Sequence, residues 1–188
     1  MPVRERIALA LDPDSPFLEI SSLAGYNSDY AMGGGAVGEV VRSNHKRFSP
    51  GDIVTGDMGW RSYAAVPAAA LRKVDESQGP IPYAVGVLGM PGMTAYFGLL
   101  EVGQPKAGDT VLVSAASGAI GSLVGQIAKI GGCRVVGTVG SAEKAAYCRD
   151  ELGFDDVIDY RDCGDLDTAL AKACPGGIDV YFENVGGP

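Results

Sequence analysis

The chain has 188 residues, 46% of them hydrophobic and 20% charged, with 15 basic against 23 acidic side chains and a net charge of −8. That balance speaks against a general nucleic-acid or anionic-membrane surface, and no apolar run approaches the length that spans a bilayer. Met1–Ala10 carries charges without the apolar core of a secretory signal, so the cytoplasm is the expected compartment.

The opening stretch is the least regular. Ile7–Leu11 reads as a strand ended by Asp12-Pro13, and Ser15–Tyr30 mixes turn residues with no sustained period. From Gly33 the pattern clears. Ala36–Val41 reads as a strand entered through a glycine run, Asn44–Phe48 as a polar connection, and Trp60–Val66 and Leu71–Val74 as further short strands. Short strands punctuated by glycine and proline predict a small β-barrel-like unit. Tyr83–Gly89 reads as a helical turn and Thr94–Val102 as a helix ending near Gly103. The boundary is expected near Met93, giving a β portion over 1–92 and an α/β portion over 93–188.

The α/β portion is organised around Val111–Gly121. Val111, Leu112 and Val113 form an apolar strand, Ser114–Gly118 a turn of small residues, and the following residues a helix. Ile120, Leu123, Val124 and Ile127 recur at i, i+3, i+4 and i+7, one apolar face at helical period. Strand, glycine turn and helix opening in that order is the context of a dinucleotide-binding fingerprint. The spelling departs from the usual triple glycine, because alanine stands first in Ala115-x-x-Gly118-x-x-Gly121. Gly118 leaves room for a pyrophosphate, the backbone N–H groups at the helix start point at the anion, and Gly121 allows close helix–strand packing. An ordinary strand-to-helix turn is the other reading of this stretch alone. The pattern downstream of it favours the fingerprint. Strands at Arg134–Val139, Val157–Tyr160 and Ile178–Phe182 alternate with helices at Ala142–Leu152 and Leu166–Ala173. The alternation predicts an α/β fold with a doubly wound parallel sheet.

Four cysteines stand singly, at 133, 148, 163 and 174, and His45 is the one histidine. Zinc sites draw on clustered His, Cys and carboxylate ligands, so no metal is expected and the thiols read as small packed groups.

Together these pieces resemble the medium-chain dehydrogenase/reductase family over nearly all of Gly33–Pro188. The carriers are Phe48-Ser-Pro-Gly51-Asp52-Ile-Val54, Met90-Pro-Gly-Met-Thr94-Ala-Tyr96, Ala115-Ala-Ser-Gly-Ala-Ile-Gly121, Gly140-Ser141-x-x-Lys144 and Phe182-Glu-Asn184-Val-Gly-Gly187. The last three are similar to the zinc-independent branch of alkenal, prostaglandin and bacterial curcumin reductases. The resemblance implies a chaperonin-10-like β domain joined to a Rossmann domain. It also implies NADPH-dependent reduction of the carbon–carbon double bond of α,β-unsaturated ketones and aldehydes, small-molecule enones and enals. Where zinc alcohol dehydrogenases carry Gly-His-Glu, this chain has Gly35-Ala36-Val37-Gly38-Glu39. The branch's Asp-Pro-Tyr has its nearest match in Asp12-Pro13-Asp14, so a substrate-side tyrosine is missing or replaced by Tyr26 or Tyr30.

The resemblance also suggests residue roles. Gly118, Ala119, Ile120 and Gly121 match the pyrophosphate turn, and Asn184 matches an asparagine facing the cofactor, with a plain turn residue as its other reading. Thr94 lies near the nicotinamide end or caps its helix. The end of the second strand, Thr138-Val139-Gly140-Ser141, lacks the acid that would bind a ribose 2′-OH, which favours NADP(H). Lys144 supplies charge for the 2′-phosphate or is a solvated helix lysine; Ser141 can donate from the preceding turn, and Tyr160 matches a tyrosine at the same phosphate. Hydride transfer needs orientation and a donor near the carbonyl oxygen rather than a nucleophile, and no catalytic residue can be named. A quinone reductase of the same superfamily and a non-catalytic nucleotide-binding protein are the alternatives, and homodimerisation of a full-length parent stays open. Four strands of an expected six are present, so the chain looks truncated at both ends, and at best weak NADPH binding is expected of it alone.

Overall fold

The computed structural model describes residues 17–20, 35–59 and 61–186, with the backbone alone for 17–20. The chain divides into two compact units, Met1–Met90 and Pro91–Pro188. The expected strand at Ile7–Leu11, the Asp12-Pro13-Asp14 segment, Tyr26, Tyr30 and Trp60 lie outside the described residues.

The first unit holds an antiparallel sheet of β1 (Phe17–Ile20), β2 (Ala36–Arg42), β3 (Ile53–Gly56), β4 (Tyr63–Ala65) and β5 (Arg72–Lys73), in the order β4-β1-β2-β3-β5. The sequence reading missed β1. It lies within Ser15–Tyr30, where four residues between turn formers leave no period to detect, yet its backbone pairs with both β2 and β4. The strands predicted at Trp60–Val66 and Leu71–Val74 are shorter, and Leu71 belongs to the core after a 3₁₀ turn at Ala68–Ala70.

Phe48-Ser-Pro-Gly51-Asp52 is the tight connection from β2 to β3. Gly51 takes a φ of +91°, and its N–H donates to Val40 O at 2.9 Å. The Asp52 carboxylate accepts the Ser49 N–H at 2.7 Å and pairs with Lys73 Nζ at 2.6 Å. Phe48 is thereby turned into a core with Ala36, Val40, Val54, Met58 and Ala64. His45 is part of the same surface turn, its Nδ1 accepting the Arg47 N–H at 3.2 Å.

The second unit is a parallel sheet of β6 (Thr110–Val113), β7 (Arg134–Val139), β8 (Asp156–Asp159) and β9 (Val180–Phe182), in the order β8-β7-β6-β9. Counted from its own first strand the order is 3-2-1-4, the expected doubly wound arrangement. Its helices are α1 (Met90–Phe97), α2 (Gly121–Ile130), α3 (Ala142–Asp150) and α4 (Leu166–Ala173). On α2, Val124 is fully buried while Ile120, Leu123 and Ile127 pack partly buried against the same core, as the helical period predicts. Gly125 and Gly137 make room for Phe154: a Cβ on Gly125 would lie 2.1 Å from its ring, and one on Gly137 3.0 Å.

Among the boundaries that differ from the reading of the sequence, three have a visible cause. α1 starts at Met90, not Thr94, because a proline in the first helical turn has no N–H bond to lose. It runs on into a π-helical turn, Gly98–Gly103, closed by Gln104 with a φ of +46°. α3 stops at Asp150 because Gly153 turns left-handed at φ +73°, and Phe154 N–H returns to Cys148 O at 3.1 Å. β9 opens at Val180 because the Asp179 carboxylate takes the Thr110 N–H at 2.8 Å, leaving Ile178 outside the strand and 42% exposed.

Candidate functional site

The site is built at the carboxyl ends of β6, β7, β8 and β9, where ligands sit in open parallel sheets. After β6 the chain turns at Ala115, a non-glycine residue with φ +46°. The Ala116 N–H donates to Thr138 O at 3.1 Å, tying the turn to the end of β7. Gly118 N–H closes back on Ala115 O at 2.8 Å, and α2 begins at Gly121. The N–H groups of Ala119, Ile120 and Gly121 reach no acceptor among the described residues. They are the orphan donors of a helix start, and with the helix dipole they favour an anion there. Gly121 is fixed by sterics, since a Cβ would lie 2.5 Å from Ala115 O. Gly118 and Ala119 are exposed, so the donors are open to a ligand.

The turn is tied to β9 through Ser114, a hydroxyl buried at the end of the apolar run Val111–Val113. Ser114 Oγ accepts the Asn184 N–H at 2.7 Å and donates to Glu183 Oε1 at 2.9 Å. Asn184 Nδ2 donates to Ser114 O at 3.4 Å. Glu183 also accepts from Gly186 N–H at 3.0 Å, from Val185 N–H and from the Tyr181 hydroxyl. The Val185 N–H, with the Ser114 hydroxyl and the Gly186 and Asn184 N–H groups, holds its carboxyl below the ordinary carboxylate range, against the opposing effect of burial. The result is a locked turn that brings Asn184 beside the glycine turn. Ser114 and Glu183 were not singled out in the sequence. The signals were a lone hydroxyl closing a buried apolar strand and an acid next to Asn184.

At the end of β7 the third group gathers around Gly140. Ser141 caps α3, its Oγ accepting the Lys144 N–H at 3.3 Å, which leaves its hydroxyl hydrogen to donate elsewhere. Tyr160 stands one residue beyond β8, its N–H on Val139 O at 3.0 Å, and is 50% exposed. Its hydroxyl lies 2.7 Å from where a Cβ on Gly140 would stand. Gly118–Gly121, Asn184, Ser141, Lys144 and Tyr160 thus share one edge of the sheet. Thr94 does not belong to this row of strand ends. It is exposed in the middle of α1, so its expected role as a helix cap is corrected by the earlier start of that helix.

Nucleophilic chemistry has little support here. Burial pushes the Cys133, Cys148 and Cys174 thiols up, away from the thiolate form that reacts. Among the described residues, no three His, Cys, Asp or Glu side chains cluster as metal ligands. Nor is any described helix long and apolar enough to cross a membrane.

Two families match the chain. Residues 119–188 match the one described as zinc-binding dehydrogenase, and residues 19–74 the N-terminal domain of oxidoreductase. The NADPH-dependent curcumin reductase of Escherichia coli (strain K12) is 52% identical over 157 residues, 83% of this chain and 45% of that protein. The 2-alkenal reductase (NADP(+)-dependent) of Nicotiana tabacum is 50% identical over 155 residues, 82% of this chain and 45% of the relative. Among solved structures, CurA of Vibrio vulnificus in complex with NADPH aligns with a TM-score of 0.77 and 43% identity, covering 93% of this chain and 55% of that one. The chain spans about half the length of the curated relatives it matches.

Proposed function

The chain belongs to the medium-chain dehydrogenase/reductase family, in the zinc-independent branch of the curcumin and alkenal reductases, and from that premise we propose that it carries the NADP(H) site of an enone reductase. The reaction is reduction of the carbon–carbon double bond of a small α,β-unsaturated ketone or aldehyde. The observation that carries the reading is the row of donors along one sheet edge. The free N–H groups of Ala119, Ile120 and Gly121 stand in it with Ser141, Lys144 and Tyr160, and no carboxylate ends β7. Glycine at 121 keeps the helix start packed on the turn, since a Cβ there would lie 2.5 Å from Ala115 O.

NADPH, when bound, supplies the hydride. The chain's own residues bind and orient. The N–H groups of Ala119–Gly121 take the pyrophosphate, and Ser141, Lys144 and Tyr160 take the adenosine 2′-phosphate. Asn184, held by Ser114, would face the cofactor. Reduction of an enone builds negative charge on its carbonyl oxygen, which needs a donor but no nucleophile and no metal. No catalytic residue is assigned, and the substrate is a small molecule rather than a nucleic acid or a membrane.

The test of the cofactor is Lys144→Ala. It should weaken NADPH binding about tenfold, the worth of one charge-assisted bond, and leave NADH nearly unchanged in fluorescence titrations. Equal losses for both cofactors would show a structural lysine. The test of the reaction is NADPH oxidation with enals and with benzoquinones, using a chain that spans the whole length of the relatives. Turnover of quinones alone would move the protein to the quinone reductases, whose solved structures are 24% and 26% identical to it. Cofactor binding without turnover of either would make it a nucleotide-binding protein.

A further inference from the structure

The end of β7 holds a second cation that the proposed cofactor contacts leave unused. Arg161 follows Tyr160, and its Nε lies 3.3 Å from where a Cβ on Gly140 would stand, on the same point approached by the Tyr160 hydroxyl at 2.7 Å. Two donors therefore converge over one glycine. The geometry depends on that residue being glycine, since any side chain would strike the phenol. Gly140 is followed by Ser141, whose Oγ caps α3, and by Lys144 in the first turn of that helix. Among the described residues the ion pairs join Lys73 to Asp52 and Lys129 to Asp155, and neither Lys144 nor Arg161 takes part in them. Arg161 is exposed, and its own N–H donates to Asp159 Oδ1 at 3.1 Å, which fixes the backbone that carries it.

We infer that Arg161 is a specificity-determining residue for the 2′-phosphate, holding it beside Lys144, with the Tyr160 hydroxyl as a third donor. The inference rests on the proposed NADP(H) site. A guanidinium suits this place because its planar fork offers paired donors to phosphate oxygens, whereas Lys144 acts as a point charge. The acids nearby, Glu143, Asp159 and Asp162, would repel a phosphate held by Lys144 alone, and a second cation offsets them.

The experiment uses the full 188-residue chain and two adenosine probes, adenosine 2′,5′-bisphosphate and 5′-AMP, with calorimetric titration. Wild type should prefer the bisphosphate. Arg161→Ala should lose about tenfold in affinity for it, one charge-assisted bond, and keep its affinity for 5′-AMP. Arg161→Lys should recover part of the preference. Circular dichroism should show both variants folded, as expected for an exposed side chain. Equal affinities of Arg161→Ala and wild type for the bisphosphate, or equal losses on both probes, overturn the inference about Arg161 alone, provided Lys144→Ala still discriminates. A wild-type chain that does not distinguish the two probes overturns the NADP(H) proposal and this inference with it.

Discussion

All four residues of β6 are buried, whereas along β2 buried positions alternate with half-buried and exposed ones. The α/β unit covers its parallel strands with helices on both faces, so each strand reads as a continuous apolar run. The β unit packs one face of short antiparallel strands, and its core is a smaller set of mostly small side chains around Phe48. Each unit nevertheless depends on one phenylalanine, and substitution there probes the difference most strongly. Phe154→Ala should cost the α/β unit about 3–5 kcal/mol, because helix α2 and strand β7 both carry glycines shaped to its ring. Phe48→Ala should fall at the low end of that range, about 3 kcal/mol. Its ring is flanked by Arg47 at 5.2 Å and Lys73 at 6.0 Å, cations that can take water when the ring is gone. Hydrogen exchange resolved by segment would measure the two losses, and equal losses would break the comparison.

A shared device gives a finer test. In each unit an aspartate accepts a backbone N–H and pairs with a lysine. Asp52 holds Ser49 N–H and Lys73, and Asp155 holds Val135 N–H at 2.6 Å and Lys129 at 2.8 Å. The Lys73 hydrogen bond, helped by Ser49 N–H, lowers the Asp52 carboxyl. For Asp155 burial is the largest influence and pushes the carboxyl up, but Lys129 and the Val135 N–H together outweigh it. Asp155→Asn should therefore cost about 1–2 kcal/mol near neutrality, and Asp52→Asn, beside a half-exposed lysine, about 0.5 kcal/mol. Both carboxyls lie lower in the folded than in the unfolded chain. Their contribution is therefore full above the unfolded carboxylate range, about pH 4, and is lost as pH falls through the lower folded value. Denaturation of wild type and Asp155→Asn should converge in acid. A difference that persists there would mean that the asparagine costs stability by packing rather than by charge.

Legibility in the sequence divides along the same line. The order of the parallel sheet, the apolar face of α2 and the strand at Arg134–Val139 were legible because full burial writes an unbroken signal. The strand Phe17–Ile20 was not, because four residues set among turn formers carry no period, and its partners are far along the chain. Gly118 and Gly121 could be nominated from the order of strand, turn and helix, and Ala119, Ile120, Ser141, Lys144, Tyr160 and Asn184 through the family resemblance. Ser114, Glu183 and Arg161 were not. Their significance lies in contacts across the sheet edge, over separations of 70 residues from Ser114 to Asn184. Thr94 shows the opposite failure: it was offered as the cap of a helix that in fact starts four residues earlier, at Met90.

A last pair of changes concerns the backbone of the two turns that define the units. Gly51, in the connection from β2 to β3, has a φ of +91°, and a Cβ placed on it would meet nothing within 4 Å. Gly51→Ala therefore tests conformation alone, and should cost about 1–2 kcal/mol for forcing an L-residue into left-handed space. Ala115, in the glycine turn after β6, already bears that cost at φ +46°. The reverse change, Ala115→Gly, relieves the strain but returns conformational freedom to the unfolded chain, about 0.5–1 kcal/mol in the other direction. The net gain should be under about 1 kcal/mol. Urea denaturation of the two variants measures both halves of the pair. If Ala115→Gly destabilises the chain, the alanine methyl contributes packing that outweighs its strain. The departure from the glycine fingerprint would then be a structural choice of this turn rather than a tolerated one.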